Sequence, residues 1–197
     1  MEIYGTSHSR AFRVLWMACE QETEFVHHPL AVERCGGDAA YLALNPAGTI
    51  PLLKDGDFVL AESLAINLYL ARKHGRMWPA DEREQALALQ WSFWAQATLE
   101  GPYILWAEHS LWLPAALRDA AKREQAAQDL RRPLDRLERA LRDRRYLLGD
   151  SFSAADLNVA AVINGLADFE PQARPHVHDW LRRCLSRPAY LRASQLP

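Results

Sequence analysis

Asn45-Pro46-Ala47-Gly48-Thr49-Ile50-Pro51-Leu52-Leu53 is the stretch on which the reading of this chain turns. Asn45-Pro46 ends the helical piece before it, because a residue preceding proline avoids the helical region. Ile50-Pro51 opens an apolar run, and a strand entered through an Ile-Pro bond presents the Ile50 N–H and C=O to an outside partner. After eight intervening residues, Glu62-Ser63 opens another apolar run. Ser63 as a helix cap leaves free N–H groups and a hydroxyl for a carboxylate, and Glu62 can accept an ammonium. The two segments together describe an edge that binds a peptide.

Outward from this stretch, the pattern is α/β. Residues 2 to 5 read as a short strand, and Phe12, Leu15, Trp16 and Cys19 fall at the spacing of an amphipathic helix with Ser9 as its cap. Thr23 to Leu30 reads as a second strand, and a short helical piece covers Ala39 to Leu44. Ile50 to Leu53 and Phe58 to Leu60 flank Lys54-Asp55-Gly56-Asp57, a hairpin signal, and Ser63 to His74 reads as a helix. The order β-α-β-α-β-β-α predicts a thioredoxin-like α/β domain over residues 1–75, followed by a linker at 76–81.

From residue 82 to 197 the strand signals largely vanish, which predicts an all-α helical bundle. One helical pattern runs from Glu82 to about Leu111 with a kink at Gly101-Pro102, and a second runs from about Ala115 to Arg144 with Pro133 inside it. Phe152-Ser153-Ala154-Ala155-Asp156-Leu157 carries a capping box and staple. A last helix spans about His176 to Ser186 and stops at Arg187-Pro188.

Composition narrows the class of function. Residues 1 to 75 hold six Lys/Arg against nine Asp/Glu, and the rest is nearly balanced, so neither half argues for nucleic acid. The Arg-rich stretch 131–145 is interleaved with Asp135, Glu138 and Asp143, the pattern of a solvated helix face. Cys19, Cys35 and Cys184 form no Cys-x-x-Cys, which fits a reducing compartment. Cys19 reads as core, and Cys35, in a glycine-rich loop, as exposed. No His-Glu-x-x-His motif or other trusted metal spacing occurs, His8, His27 and His28 included, so no metal is expected. With no charged leader before an apolar stretch and no long uncharged run, the expectation is a cytoplasmic protein that spans no membrane.

Four pieces in this order resemble the glutathione transferase family over essentially the whole chain: Ser9-Arg10-Ala11-Phe12-Arg13-Val14, Asn45 to Pro51, Glu62-Ser63, and Phe152 to Asp156. The resemblance implies a cis Ile50-Pro51 bond, glutathione as co-substrate and a homodimer. It also implies a glutathione site at Ser9, Thr49, Ile50, Pro51, Glu62 and Ser63, with Ser9 as the catalytic hydroxyl. Thr6, Ser7 and Tyr4 stand close enough to be alternates, Tyr4 because some classes of the family place a catalytic tyrosine there. Thiol-transferring relatives carry cysteine where this chain has Ser9, so conjugation of glutathione thiolate to a small hydrophobic electrophile is favoured over disulfide exchange. Glutathione-dependent reduction, dehalogenation or isomerisation, and ligand binding without catalysis, remain alternatives.

Overall fold

The computed structural model describes all residues, Met1–Pro197. They form two compact units, one of residues 1–78 with 186–197 and one of residues 79–185. The final twelve residues thus join the first unit rather than the helical one, where the sequence reading put them.

The first unit holds a four-stranded sheet of order β2-β1-β3-β4. Its strands are β1 (Glu2–Tyr4), β2 (Val26–His28), β3 (Leu52–Asp55) and β4 (Phe58–Ala61). β1 pairs parallel with β2 and antiparallel with β3, and β3 pairs antiparallel with β4. β2 is shorter than the apolar run that predicted it, since β1 offers only three residues to pair with. Asp55 pairs with Phe58, so the hairpin loop is Gly56-Asp57, one residue beyond the Asp-Gly signal. Gly56 takes φ +65 at the first central position, which matches the twist of the flanking strands.

Alternation along the strands separates two faces. Ile3 and Leu53 pair and are fully buried on the side of α1 (Ala11–Gln21) and α4 (Ser63–His74). Leu52 turns to the other face and packs with Cys35, Tyr41 and Tyr4 beneath α2 (Val32–Cys35) and α3 (Ala39–Leu44). Cys35 is therefore buried, contrary to the exposed position expected of it: it is the inward residue of α2, a helix too short to give a sequence period. Its Sγ donates to the Ala31 carbonyl, and burial pushes its thiol pKa up.

The first helix departs from its one-sided pattern in an informative way. Ala11 through Ala18 are all buried, Arg13 included, because α4 flanks α1 and α10 (Pro188–Ser194) packs on it as well. Arg187-Pro188 does end the preceding helix, as expected, yet Pro188 also starts α10, where a missing N–H costs nothing.

The second unit contains α5 (Glu82–Trp94), α6 (Glu100–Ala107), α7 (Ala120–Leu141), α8 (Ala154–Val162) and α9 (Pro175–Leu185). The long pattern from residue 82 is interrupted by two π-helical turns, Ala95–Leu99 and Glu108–Trp112. The first lies just before Gly101-Pro102, where the i→i−4 ladder must absorb a missing donor. Asp156 starts α8 as the sequence predicts, accepting from the Ser153 N–H at 3.0 Å and hydroxyl at 2.7 Å. It also accepts from the Leu147 N–H and Trp180 Nε1, so one buried carboxylate ties three segments together. Trp91 and Trp94 pack in the interior beneath Arg136, whose guanidinium lies 5.2 and 5.0 Å from their rings. Trp106 and Trp112 join Tyr103 and Phe169 in an aromatic surface with Leu111. No helix is long and apolar enough to cross a membrane.

Candidate functional site

Sheet register brings the proposed site residues to one place. Tyr4 pairs with Leu52 and Leu52 pairs with Ala61, and these pairs mark the same end of β1, β3 and β4. Just past that end lie Gly5 to Ser9, Ile50-Pro51 and Glu62-Ser63. Three segments far apart in the chain are therefore neighbours because of strand pairing alone.

Gly5 makes the closeness possible. A Cβ there would sit 2.5 Å from the Ala11 Cβ and 3.2 Å from the Ile50 Cβ, and the residue holds φ +123. Only glycine meets both demands. The chain then turns from Thr6 to Ser9, with the Ser9 N–H on the Thr6 carbonyl at 3.1 Å. The Ser9 hydroxyl donates to that same carbonyl at 2.8 Å and accepts from the Ala11 N–H at 3.1 Å. Arg10, not Ser9 as expected, occupies the cap position of α1, yet the Ser9 hydroxyl still satisfies the N–H of the first helical residue and holds a proton that another acceptor can claim.

The alternates are placed differently. The Ser7 hydroxyl is buried with no hydrogen-bond partner in the chain. Tyr4 packs on the face of the sheet that carries Leu52 and Tyr41 and belongs to a charge network there: its hydroxyl donates to Glu2, which also accepts from His28 Nε2 and Lys54 Nζ at 2.8 Å each. The Tyr4 ring stacks on His28 with centroids 4.3 Å apart. Burial, then the bond to Glu2, pushes the Tyr4 pKa up to about 12. The Lys54, His28 and Tyr4 bonds hold Glu2 down at about 2.

The Ile50-Pro51 bond is cis. The loop before it is pinned by its own bonds: the Thr49 carbonyl accepts from Asn45 Nδ2 at 2.7 Å and from the Tyr41 hydroxyl, and the Gly48 N–H reaches the Asn45 carbonyl. β3 begins at Leu52, so the Ile50 peptide groups lie outside the sheet ladder. The Thr49 carbonyl thus takes two bonds within the loop, and the Thr49 Oγ1 takes a long one from Asn45 Nδ2 at 3.4 Å.

At Glu62 and Ser63 the structure corrects one detail and adds another. Ser63 is the first helical residue of α4, and Glu62 occupies the cap position with no side-chain cap. Glu62 takes φ 70 and ψ 109, a conformation that costs a non-glycine residue about 1–3 kcal/mol. Ser63 is 4% exposed and its Oγ lies 3.4 Å from Arg13 Nη1, a long contact. A guanidinium can only donate, so the Ser63 oxygen accepts and its own proton stays available. Neither the strained Glu62 nor the Arg13 link was found from the sequence. An arginine among the buried positions of α1 is the one signal that pointed to the latter.

His27 is also engaged, its Nε2 lying 2.7 Å from the Gly5 carbonyl. No group of three or more His, Cys, Asp or Glu side chains is arranged to hold a metal ion.

Comparison with known proteins bears on this geometry. The model of the glutathione S-transferase N-terminal domain matches residues 9–73, and that of the C-terminal domain matches residues 104–188. Glutathione S-transferase F13 of Arabidopsis thaliana is 32% identical, covering 98% of this chain and 94% of its own length. Glutathione S-transferase GstB of Escherichia coli K12 is 28% identical, covering 99% and 98%. A theta class glutathione S-transferase from the citrus canker pathogen Xanthomonas axonopodis pv. citri, solved with glutathione bound, superposes with a TM-score of 0.89 at 32% identity, over 98% of this chain and 96% of that one. With the thioredoxin-like and helical halves both matched in order, the chain belongs to the glutathione S-transferase family and is a glutathione transferase.

Proposed function

We propose that glutathione lies along the sheet end formed by Ser9, Ile50 and Glu62-Ser63, and that Ser9 stabilises its thiolate for attack on a small hydrophobic electrophile. The observation that carries this reading is the register, which gathers a helix-start hydroxyl, unpaired peptide groups and an acid-hydroxyl pair at one end of the sheet. The Ile50 N–H and C=O pair with the cysteinyl unit as a short added strand. The α-carboxylate of the γ-glutamyl unit takes the Ser63 proton and the free N–H groups at the start of α4, while the Glu62 carboxylate takes its ammonium.

The chemistry then needs little more. The thiol loses its proton to solvent, and Ser9 turns its O–H from the Thr6 carbonyl to the sulfur anion. The sulfur lone pair forms the new bond to carbon, and a leaving group departs with the old bonding pair. Leu89 and Phe93, one helical turn apart on α5 and both exposed, support a homodimer. Three free cysteines accord with a cytoplasmic setting.

Calorimetry with glutathione tests the clamp. Ser63→Ala and Glu62→Ala each remove one hydrogen bond to a charged group, worth about 1.5–3 kcal/mol, so affinity falls by about tenfold or more with the fold retained. Unchanged affinity in both variants overturns the assignment.

A further inference from the structure

Residues 186–197 run as a strap along α1. At one end Arg187 holds Glu20 with two bonds of 2.6 and 2.7 Å, and Glu20 accepts from Trp16 Nε1. In the middle the Tyr190 ring meets Phe12 and Trp16 edge-on, with centroids 5.2 and 5.0 Å apart. Arg192 reaches back to the Cys19 carbonyl at 2.9 Å. At the other end the Ser7 N–H donates to the main-chain oxygen of Pro197 at 3.1 Å.

That last bond reaches the chemistry through one rigid unit. The Ser7 N–H and the Thr6 C=O belong to the same planar peptide, so whatever holds one sets the direction of the other. The Thr6 carbonyl is the resting acceptor of both the Ser9 N–H and the Ser9 hydroxyl. We propose that the strap is a positioning element of the thiol-activating site, acting from the main-chain oxygen of Pro197 through the Thr6–Ser7 peptide to the Ser9 hydroxyl. Pro197 touches no reacting atom; it orients the group that does. The inference rests on the reading of Ser9 given above.

A chain ending at Gln195 tests it, because every anchor of α10 on α1 stays while the Ser7 acceptor is lost. The readout is the pH profile of conjugation. The expected result is an ionisation limb moved upward, kcat/KM lower by about fivefold at pH 6.5 and nearly restored above pH 9, and a glutathione KM changed less than about twofold. In a Ser9→Ala background the same truncation leaves the limb where it is. An unmoved limb, or a loss equal at every pH, overturns the proposal. Arg192→Leu keeps the chain length and loosens the strap at the Cys19 carbonyl; it gives a smaller shift in the same direction, and no shift in it overturns the proposal should the shortened chain fold poorly. If Ser9→Ala alone leaves the profile unchanged, the Ser9 reading itself falls and takes the strap with it. A harmful Ser9→Ala beside a neutral truncation refutes the strap only.

Discussion

Ser9→Ala removes the hydroxyl assigned to the sulfur anion, and the size of the effect follows from what that hydroxyl gives up. In the free protein it donates to the Thr6 carbonyl at 2.8 Å. Turning to a sulfur anion exchanges a neutral bond worth about 1 kcal/mol for one to a charge worth about 1.5–3, a net gain of about 0.5–2 kcal/mol. At about 1.4 kcal/mol per pKa unit, the hydroxyl lowers the thiol pKa by about 0.4–1.4 units. The helix N-terminus adds about 0.3–1 kcal/mol and survives the mutation. A thiol with an ordinary pKa near 8.5 is mostly protonated at pH 6.5, so the rate there tracks the thiolate fraction. Ser9→Ala therefore lowers kcat/KM at pH 6.5 by about threefold to twentyfold. The gap closes above pH 9, where both enzymes hold thiolate, and the more basic sulfur of the variant attacks slightly faster there. Loss of the bond to the Ala11 N–H also costs about 0.5–2 kcal/mol of stability. Ser9→Thr keeps the hydroxyl and most of the shift. The assay is the pH dependence of kcat/KM with an activated aryl halide, beside the ultraviolet thiolate absorbance of bound glutathione. A Ser9→Ala enzyme with full activity and an unmoved thiolate titration refutes the reasoning.

Other expectations follow from the same geometry. Gly5→Ala forces a Cβ against Ala11 at a positive φ, so it destabilises by about 2 kcal/mol or more, read as a lower thermal midpoint and a lower kcat together. Glu2 is held at about 2 against an ordinary 4.5 by Lys54, His28 and Tyr4. A depressed carboxyl stabilises fully above its unfolded pKa and loses that contribution as pH falls, here between about 4.5 and 2. Glu2→Gln thus flattens the acid limb of stability in urea titrations across that window and leaves glutathione affinity unchanged. Phe93, 67% exposed on α5, belongs to the proposed subunit contact, so Phe93→Asp yields a monomer by sedimentation while the wild type sediments as a dimer.

Local chemistry was legible in the sequence where it was punctuated. Asn45-Pro46, the glycine after Asp55, and the Ser153 to Asp156 box each name a boundary through backbone demands of single residues, and the structure places boundaries within a residue or two of them. What failed was set by partners distant in the chain. β2 is trimmed by the length of β1, Cys35 is buried by Tyr41 and Leu52, and α1 is covered on a second flank by α10. No residue of α1 announces that second partner. At the candidate site, Ser9 and the Glu62-Ser63 pair stand out in the sequence only as helix-start residues, which capping alone also selects, and it is the family resemblance that singles them out. Their convergence was not legible, since it depends on register, and neither was the backbone of Glu62, whose φ of 70 no glutamate advertises.

A structure of the protein crystallised with glutathione is the most direct test of the central claim, that the tripeptide's sulfur is held as an anion at the start of α1. The account predicts the sulfur within hydrogen-bond reach of Ser9 Oγ, the cysteinyl backbone paired with Ile50, and the γ-glutamyl end at Glu62 and Ser63. A sulfur seated at another hydroxyl, or a tripeptide bound away from this end of the sheet, contradicts it.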